Sequence, residues 1–198
     1  MNTKFRKKTI YLPLGLLLVT GMGMAIGYAL SRQAPTSQQT DEPLVKEIKI
    51  GKTYEMYGEL SLIDDRHYVY LVDDTDYESE EELEEIQEEN YPEEVYPTLY
   101  YYQGDYKREG DDIYLKPTKE ISIAFETLAD VKKKQYFQLK ETALTDDYED
   151  QPQLVKKEGS YQVQTGDDDG FDLAPSSTKL AKSVTELLSN YKKVEKKD

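Results

Sequence analysis

The side chains of this 198-residue chain that could do acid–base or metal chemistry are mostly carboxylates, and their spacing marks no site. His67 is the only histidine, and the chain contains no cysteine. A histidine-rich metal site and a Ser-His relay with spare histidines are therefore excluded. We predict no catalytic residue, no metal ligand and no cofactor.

Two short patterns match known sites only in part. Ser176 and Lys179 have a Ser-x-x-Lys spacing, but no Lys-Thr-Gly strand follows them. Asp167 and Asp169 match part of the pattern of a calcium-binding loop. The first Asp and the bidentate Glu of that pattern are absent from this sequence. A pair of carboxylates for glycoside hydrolysis is an open alternative, because the chain has 40 acidic residues, although no pattern marks such a pair.

Tyrosine is the dominant aromatic residue, with 18 Tyr against four Phe and no Trp. Because tyrosine combines a large contact area with a polar tip, we predict Tyr100, Tyr102 and Tyr106 as binding residues. Residues 100–102 are consecutive in a predicted strand and point to both of its faces, so at least one should be exposed. In the alternative interpretation, these tyrosines only build a sheet with one solvated face.

The N-terminal region has the pattern of a membrane span. Thr9 to Leu30 is an uncharged, largely apolar run of 22 residues. As a helix it would extend about 33 Å, enough to cross a hydrocarbon core of about 30 Å. Four basic residues precede it, which places the N-terminus in the cytoplasm: Lys4, Arg6, Lys7 and Lys8. A cleaved signal peptide, with secretion of the remainder, is the alternative.

These features divide the chain into five parts. We predict a cytoplasmic tail over 1–8, a transmembrane helix or signal anchor over 9–30, and a flexible linker over 31–43. An extracytoplasmic β-rich domain over 44–175 and an amphipathic C-terminal helix over 176–198 follow. Within the span, Gly23 and Gly27 have the small-xxx-small spacing that allows two helices to approach closely, so self-association is an expectation.

Charge is concentrated in one segment of the predicted domain. Between Asp73 and Val95 there are thirteen carboxylates and no basic residue. Without these thirteen, 27 acidic residues would face 25 basic ones, so this segment carries almost all of the net charge of -15. Ser79 and Glu82 have capping-box spacing, which predicts a short acidic helix over Glu80–Glu89 that ends at Asn90. The acidic pI near 4.6 argues against a nucleic-acid partner.

The rest of the domain alternates with a period of two, which is typical of half-buried strands. About eight short strands predict a mainly β fold, an antiparallel barrel or sandwich. The predicted strands cover residues 46–50, 54–62, 68–72, 98–103, 112–116, 120–126, 136–142 and 160–165.

The C-terminal residues form an apolar stripe at helical spacing. Leu180, Val184, Leu187, Leu188 and Tyr191 lie at offsets of 0, 4, 7, 8 and 11. Ser176 or Ser177 is a plausible N-cap. We expect this helix to pack on the outside of the sheet; docking onto a protein or onto the membrane surface is the alternative.

The run from Tyr102 to Leu115 resembles a hairpin of small lipocalin-like barrels in exported bacterial proteins. In both, a Gly-x-Tyr strand turns through Gly-Asp into an Ile-x-Leu strand. Gly51-Lys-Thr-Tyr54 is similar to the start of their first strand. The resemblance implies an antiparallel barrel that holds either a ligand or only a packed core. A small five-stranded barrel of the OB type is the competing interpretation.

These observations favour a membrane-anchored, extracytoplasmic module of the bacterial cell envelope that is not an enzyme and binds another envelope protein. Two alternatives remain: a small-ligand binder that uses the barrel interior, and an envelope hydrolase with an unmarked carboxylate site. An open apolar cavity would favour the former, and two carboxyls facing each other in a cleft would favour the latter.

Overall fold

The computed structural model describes residues 44–92, 94–145, 152–164 and 170–196. The predicted tail, span and linker, together with Gly23 and Gly27, lie outside the described residues. Asp167 and Asp169 lie outside them too. Within the described ranges, no helix is long and apolar enough to cross a membrane.

The prediction of a mainly β, antiparallel fold is confirmed. A ten-stranded, nearly closed, barrel-shaped sheet has the strand order β10-β9-β8-β5-β4-β3-β2-β1-β11, and β7 pairs with β5 beside β8. Its strands are β1 (Thr53–Glu55), β2 (Glu59–Leu62), β3 (His67–Asp74), β4 (Thr98–Glu109), β5 (Asp112–Ala124), β7 (Gln138–Ala143), β8 (Gln153–Lys157), β9 (Ser160–Gln164), β10 (Phe171–Asp172) and β11 (Ala174–Ser176). A separate parallel pair joins β6 (Gln135–Tyr136) to β12 (Lys192–Lys193).

Several strand boundaries differ from the predicted ones. Residues 54–62 form two strands, because Tyr57 adopts a left-handed conformation with φ 55° and the Met56 N–H bonds to the Gly58 carbonyl at 2.7 Å. The predicted strands 112–116 and 120–126 are one strand, β5, that continues past a register shift opposite Gln103 and Gly104. Residues 46–50 contain no strand.

Gly104 is required by this register shift. A Cβ there would lie 2.3 Å from the Lys116 carbonyl oxygen and 2.6 Å from the Tyr68 ring. The close approach of two backbones leaves no space for a side chain.

The first core cluster fills the inside of the barrel. It draws side chains from strands around the whole sheet, and its almost fully buried members include Tyr68, Tyr70, Tyr102 and Leu115. Val45 and Ile48, which precede β1, pack against the same cluster. The interior is therefore occupied by the protein's own side chains.

The second core cluster lies on the opposite face of β3, β4 and β5, where Val69, Tyr101 and Ile121 are buried. Residues 177–196, here called the C-terminal strap, cover this face. Leu180 and Leu187 of the strap are buried in the cluster. The Tyr101 hydroxyl donates a hydrogen bond to the Ala181 carbonyl at 2.8 Å.

The prediction of one helix over 176–198 is wrong. Residues 174–176 belong to β11, and the only helical turn in the described part of the strap is α3, Val184–Leu188, capped by Ser183. Residues 192–193 then pair with β6. The apolar stripe is buried as predicted, but an extended strap buries Leu180 and a single short helix buries Leu187.

The acidic helix is confirmed at its predicted bounds. Helix α1 spans Glu80–Glu89, and the Glu82 N–H donates to the Ser79 hydroxyl at 3.2 Å. Leu83 of α1 and Tyr77 pack against Leu128 of helix α2, Leu128–Lys133, in a third, small cluster. The segment is a long excursion from the β3–β4 hairpin, since Asp74 pairs with Thr98.

We expect Leu187→Ala to lower the free energy of unfolding by about 2–4 kcal/mol, because it leaves a cavity in a buried cluster. Urea denaturation measures this change. The matched control is Leu44→Ala, at a leucine that is 52% exposed, which should change stability by less than about 0.5 kcal/mol. Equal effects of the two substitutions would contradict a covering role for the strap.

We also expect replacement of residues 75–94 by an Asn-Gly turn to leave the domain folded. The paired ends of β3 and β4 already close the hairpin, so the loss is limited to the third cluster and to the exposed contacts of Glu80 with Ala129 and of Glu94 with Lys196. Circular dichroism and cooperative thermal unfolding test this expectation. Loss of the folded state would show that Tyr77 and Leu83 belong to the essential core.

Candidate functional site

The three tyrosines predicted as a binding surface line the interior face of β4. Tyr102 is fully buried, Tyr106 is buried, and Tyr100 is half-buried against the same inner cluster. The idea of an exposed platform is therefore wrong for Tyr102 and Tyr106. Alternation along β4 places them inside the barrel, and Tyr101 on the opposite face lies beneath the strap.

The hydroxyl groups of Tyr102 and its neighbour on β3, Tyr70, have different surroundings. Tyr70 and Tyr102 face each other across β3 and β4, with ring centroids 5.9 Å apart. The Tyr70 hydroxyl donates to the Met56 carbonyl at 2.8 Å. The buried Tyr102 hydroxyl has no backbone hydrogen-bond partner of this kind, and its polar neighbour is the Glu120 carboxylate. Burial and the neighbouring Glu120 carboxylate raise the pKa of Tyr102.

Tyr106 positions the turn that carries the only histidine. Its hydroxyl donates to the Asp64 carbonyl at 2.8 Å, and its N–H donates to the Arg66 carbonyl at 2.7 Å. Two bonds from one residue of β4 thus hold the β2–β3 turn. Of the three predicted residues, Tyr106 is the one that contacts this turn.

Asp64 organises the turn around His67. Its carboxylate accepts from the backbone N–H groups of Arg66 and His67, each at 2.8 Å, and lies 2.8 Å from His67 Nδ1. On the other side of the ring, His67 Nε2 is 3.6 Å from Asp105 Oδ1. The hydrogen bond from the His67 side chain, followed by those from the two backbone N–H groups, lowers the pKa of Asp64 to about 2.

An open cleft of about 330 Å³ adjoins this turn and is called the His67 cleft below. It combines apolar and charged side chains. Lys182 of the strap reaches it, so the cleft joins the sheet to its cover. Its lining includes Ile63, Asp64, His67, Val69, Gln103, Asp105, Thr118 and Lys182.

The sequence offered only part of this site. Asp64 and Asp65 indicate a turn, and an Asp three residues before His67 is the local signal for the contact between them. Nothing local indicates Asp105 or Lys182, which β4 and the strap bring in from distant positions. Among the described residues, no group of three or more acidic or histidine side chains could hold a metal ion.

Ser176 and Lys179 do not form an acylation site of the kind their spacing suggests. Ser176 lies in β11, not at a helix start, and its hydroxyl donates to Glu59 Oε1 at 2.9 Å. Thr178 bonds to the same carboxylate oxygen at 2.8 Å. This segment therefore anchors the beginning of the strap to β2.

No family model, curated protein or solved structure matches this chain.

Tyr70→Phe and Tyr102→Phe form a matched pair that tests the assignment of the two hydroxyls. Tyr70→Phe should cost about 1–2 kcal/mol, because the buried Met56 carbonyl loses its partner. Tyr102→Phe should be neutral or stabilising, because the lost hydroxyl has no such bond. Urea denaturation of both variants provides the measurement, and an equal cost would contradict the assignment.

His67→Gln should raise the pKa of Asp64, measured by NMR titration of its carboxyl carbon. The shift should be partial, since two backbone N–H groups still bond to the carboxylate. Because the folded-state pKa is depressed, Asp64 stabilises the fold above about pH 4 and loses this contribution as the pH falls toward 2. An unchanged Asp64 pKa in the variant would contradict the role of His67.

Proposed function

We propose that this chain is a non-catalytic binding module, held on the outer side of a bacterial cell membrane by its N-terminal segment. In this proposal it contacts another envelope protein through the outer surface of its barrel. The observation that carries the proposal is the filled interior: Tyr70, Tyr102 and Leu115 occupy the space in which a barrel would hold a ligand.

The small-ligand alternative has less support for the same reason. A carrier barrel needs an internal cavity that is open at one end. Here the largest side chains of the sheet meet inside, and the Tyr70 hydroxyl is bonded to the backbone rather than held free for a ligand. Of the two barrels that the lipocalin-like resemblance implies, the proposal therefore takes the one whose interior is a packed core.

The hydrolase alternative is favoured by one observation, the position of Asp64 and Asp105 on either side of His67. Yet both carboxylates approach the same imidazole, and a pKa of about 2 keeps Asp64 ionised at neutral pH. Asp64 could not donate a proton to a leaving group. We therefore assign this turn a positioning and recognition role.

The His67 cleft is the surface to which we assign this protein contact. Ile63 supplies apolar surface, while Asp105 and Lys182 supply both signs of charge. Such a mixture suits a partner segment that inserts a side chain and pairs its polar groups at the rim. Because Lys182 belongs to the strap, the cleft forms only in the fully folded domain.

A photo-crosslinking amino acid at Thr118, an exposed residue of the cleft, should yield a discrete crosslinked envelope protein in living cells. The same amino acid at Lys157, an exposed residue outside the cleft lining, is the control and should give little product. Mass spectrometry identifies the partner.

Three results would count against the proposal. Equal yields at positions 118 and 157 would remove the cleft as the contact site. Saturable binding of an apolar fluorescent probe, abolished by enlarging a side chain at Ser122 on the interior edge, would favour the ligand carrier. Hydrolysis of an envelope glycan that is lost in Asp105→Asn would favour the enzyme.

A further inference from the structure

The surface at the N-terminal end of the described domain combines exposed apolar and basic side chains. Among the described residues, three large hydrophobic side chains are strongly exposed, and two of them, Leu44 and Ile50 at 52% each, lie within seven residues. Single exposed hydrophobic residues are ordinary, so these two count here only together with the charges around them.

Three exposed lysines accompany them in the same segment: Lys46, Lys49 and Lys52. The only acidic residue of residues 44–52 is Glu47, which gives this stretch a local charge of about +2 in a chain of net charge -15. Leu44 and all three lysines line one open cleft of about 500 Å³. We call the surface of Leu44, Lys46, Lys49, Ile50 and Lys52 the N-terminal face.

The N-terminal face is held in place by the barrel. Val45 and Ile48 are buried in the inner cluster, and the Val45 carbonyl accepts from the Tyr161 N–H at 2.7 Å. The Lys49 N–H donates to the Tyr54 hydroxyl at 2.7 Å. With these residues turned inward, their lysine and apolar neighbours are directed outward as a preformed surface.

We propose that the N-terminal face lies against a bilayer that contains anionic phospholipid. This inference rests on the proposed membrane anchorage. Apolar side chains enter the boundary between headgroups and acyl chains, while lysines approach the lipid phosphates. A bilayer therefore accounts for both residue types of this surface, and its negative charge complements the basic segment that follows the predicted anchor and linker.

The position of the face along the chain supports the same occupant. Thirteen residues separate the predicted span from Leu44, and as a random coil they would cover about 20 Å. Because the anchor would keep this surface close to the bilayer, its effective concentration there would be high. Individually weak contacts with lipid are then sufficient for docking. Docking would fix the orientation in which the rest of the barrel faces the envelope.

The test uses the full-length chain in nanodiscs and exploits its lack of cysteine. A nitroxide is attached to Ile50→Cys, and electron paramagnetic resonance measures its collision with a water-soluble nickel complex and with oxygen. In discs containing phosphatidylglycerol, we expect the label to be shielded from nickel and accessible to oxygen. In phosphatidylcholine discs, and with Tyr91→Cys as the labelled site, it should remain accessible to nickel.

A charge-matched pair of triple variants isolates the lysines. Replacing Lys46, Lys49 and Lys52 by Gln should lower the docked-to-undocked ratio about fivefold for each lysine, roughly a hundredfold in all. Replacing Lys132, Lys133 and Lys157, which are exposed elsewhere, changes the net charge equally and should leave the ratio unaltered.

The outcomes separate this inference from the anchorage on which it rests. A chain that does not co-elute with the discs overturns both. A chain that co-elutes but leaves the label at position 50 as accessible as that at position 91 overturns the docking alone. Shielding that appears only after envelope proteins are added, or that is equal for both triple variants, also overturns the assignment to lipid.

Discussion

The central sheet of this domain is apolar on both faces, and the rest of the structure depends on covering both. Along β4, the inward Tyr100, Tyr102 and Tyr106 alternate with the outward Leu99 and Tyr101. An antiparallel sheet with one solvated face needs other residues to pack against only one of its faces. This sheet has apolar side chains on both faces, so both must be shielded from water. Its own curvature covers the inner face, and the C-terminal strap covers the outer one.

This double burial determines which surfaces of the domain stay open. The interior contains two of the tyrosines that the sequence suggests as binding residues, Tyr102 and Tyr106, and Tyr100 packs against the same cluster. The strap occupies much of the outer face, so open surface remains at its border, in the His67 cleft, and at the N-terminal face. Both places combine apolar residues with charges, and both are held by backbone hydrogen bonds to distant strands.

Prediction succeeded where the determining interactions are local. Helix α1 has its predicted bounds because Ser79 caps the helix within one turn and Asn90 ends it. The turns at Gly110 and Gly159 are local in the same way, since both glycines have the positive φ values that glycine adopts without strain. Prediction failed for the C-terminal helix, because an extended strap can bury Leu180 and Leu187 as well as a long helix can. The prediction of exposed tyrosines failed for Tyr102 and Tyr106. Alternation along a strand shows that it has two faces, but it does not show which face is covered by other parts of the protein.

The sequence by itself determined the β-rich class, the acidic helix, the turns and the concentration of charge, since each follows from neighbouring residues and backbone preferences. Only the tertiary structure decided that β10 and β11 bring the two ends of the sheet together, that the strap replaces a helix, and that Asp64, His67, Asp105 and Lys182 meet. These outcomes depend on pairings between residues tens of positions apart. The free energy that stabilises these long-range pairings comes from burying both faces of one sheet at once. No local sequence pattern contains that information.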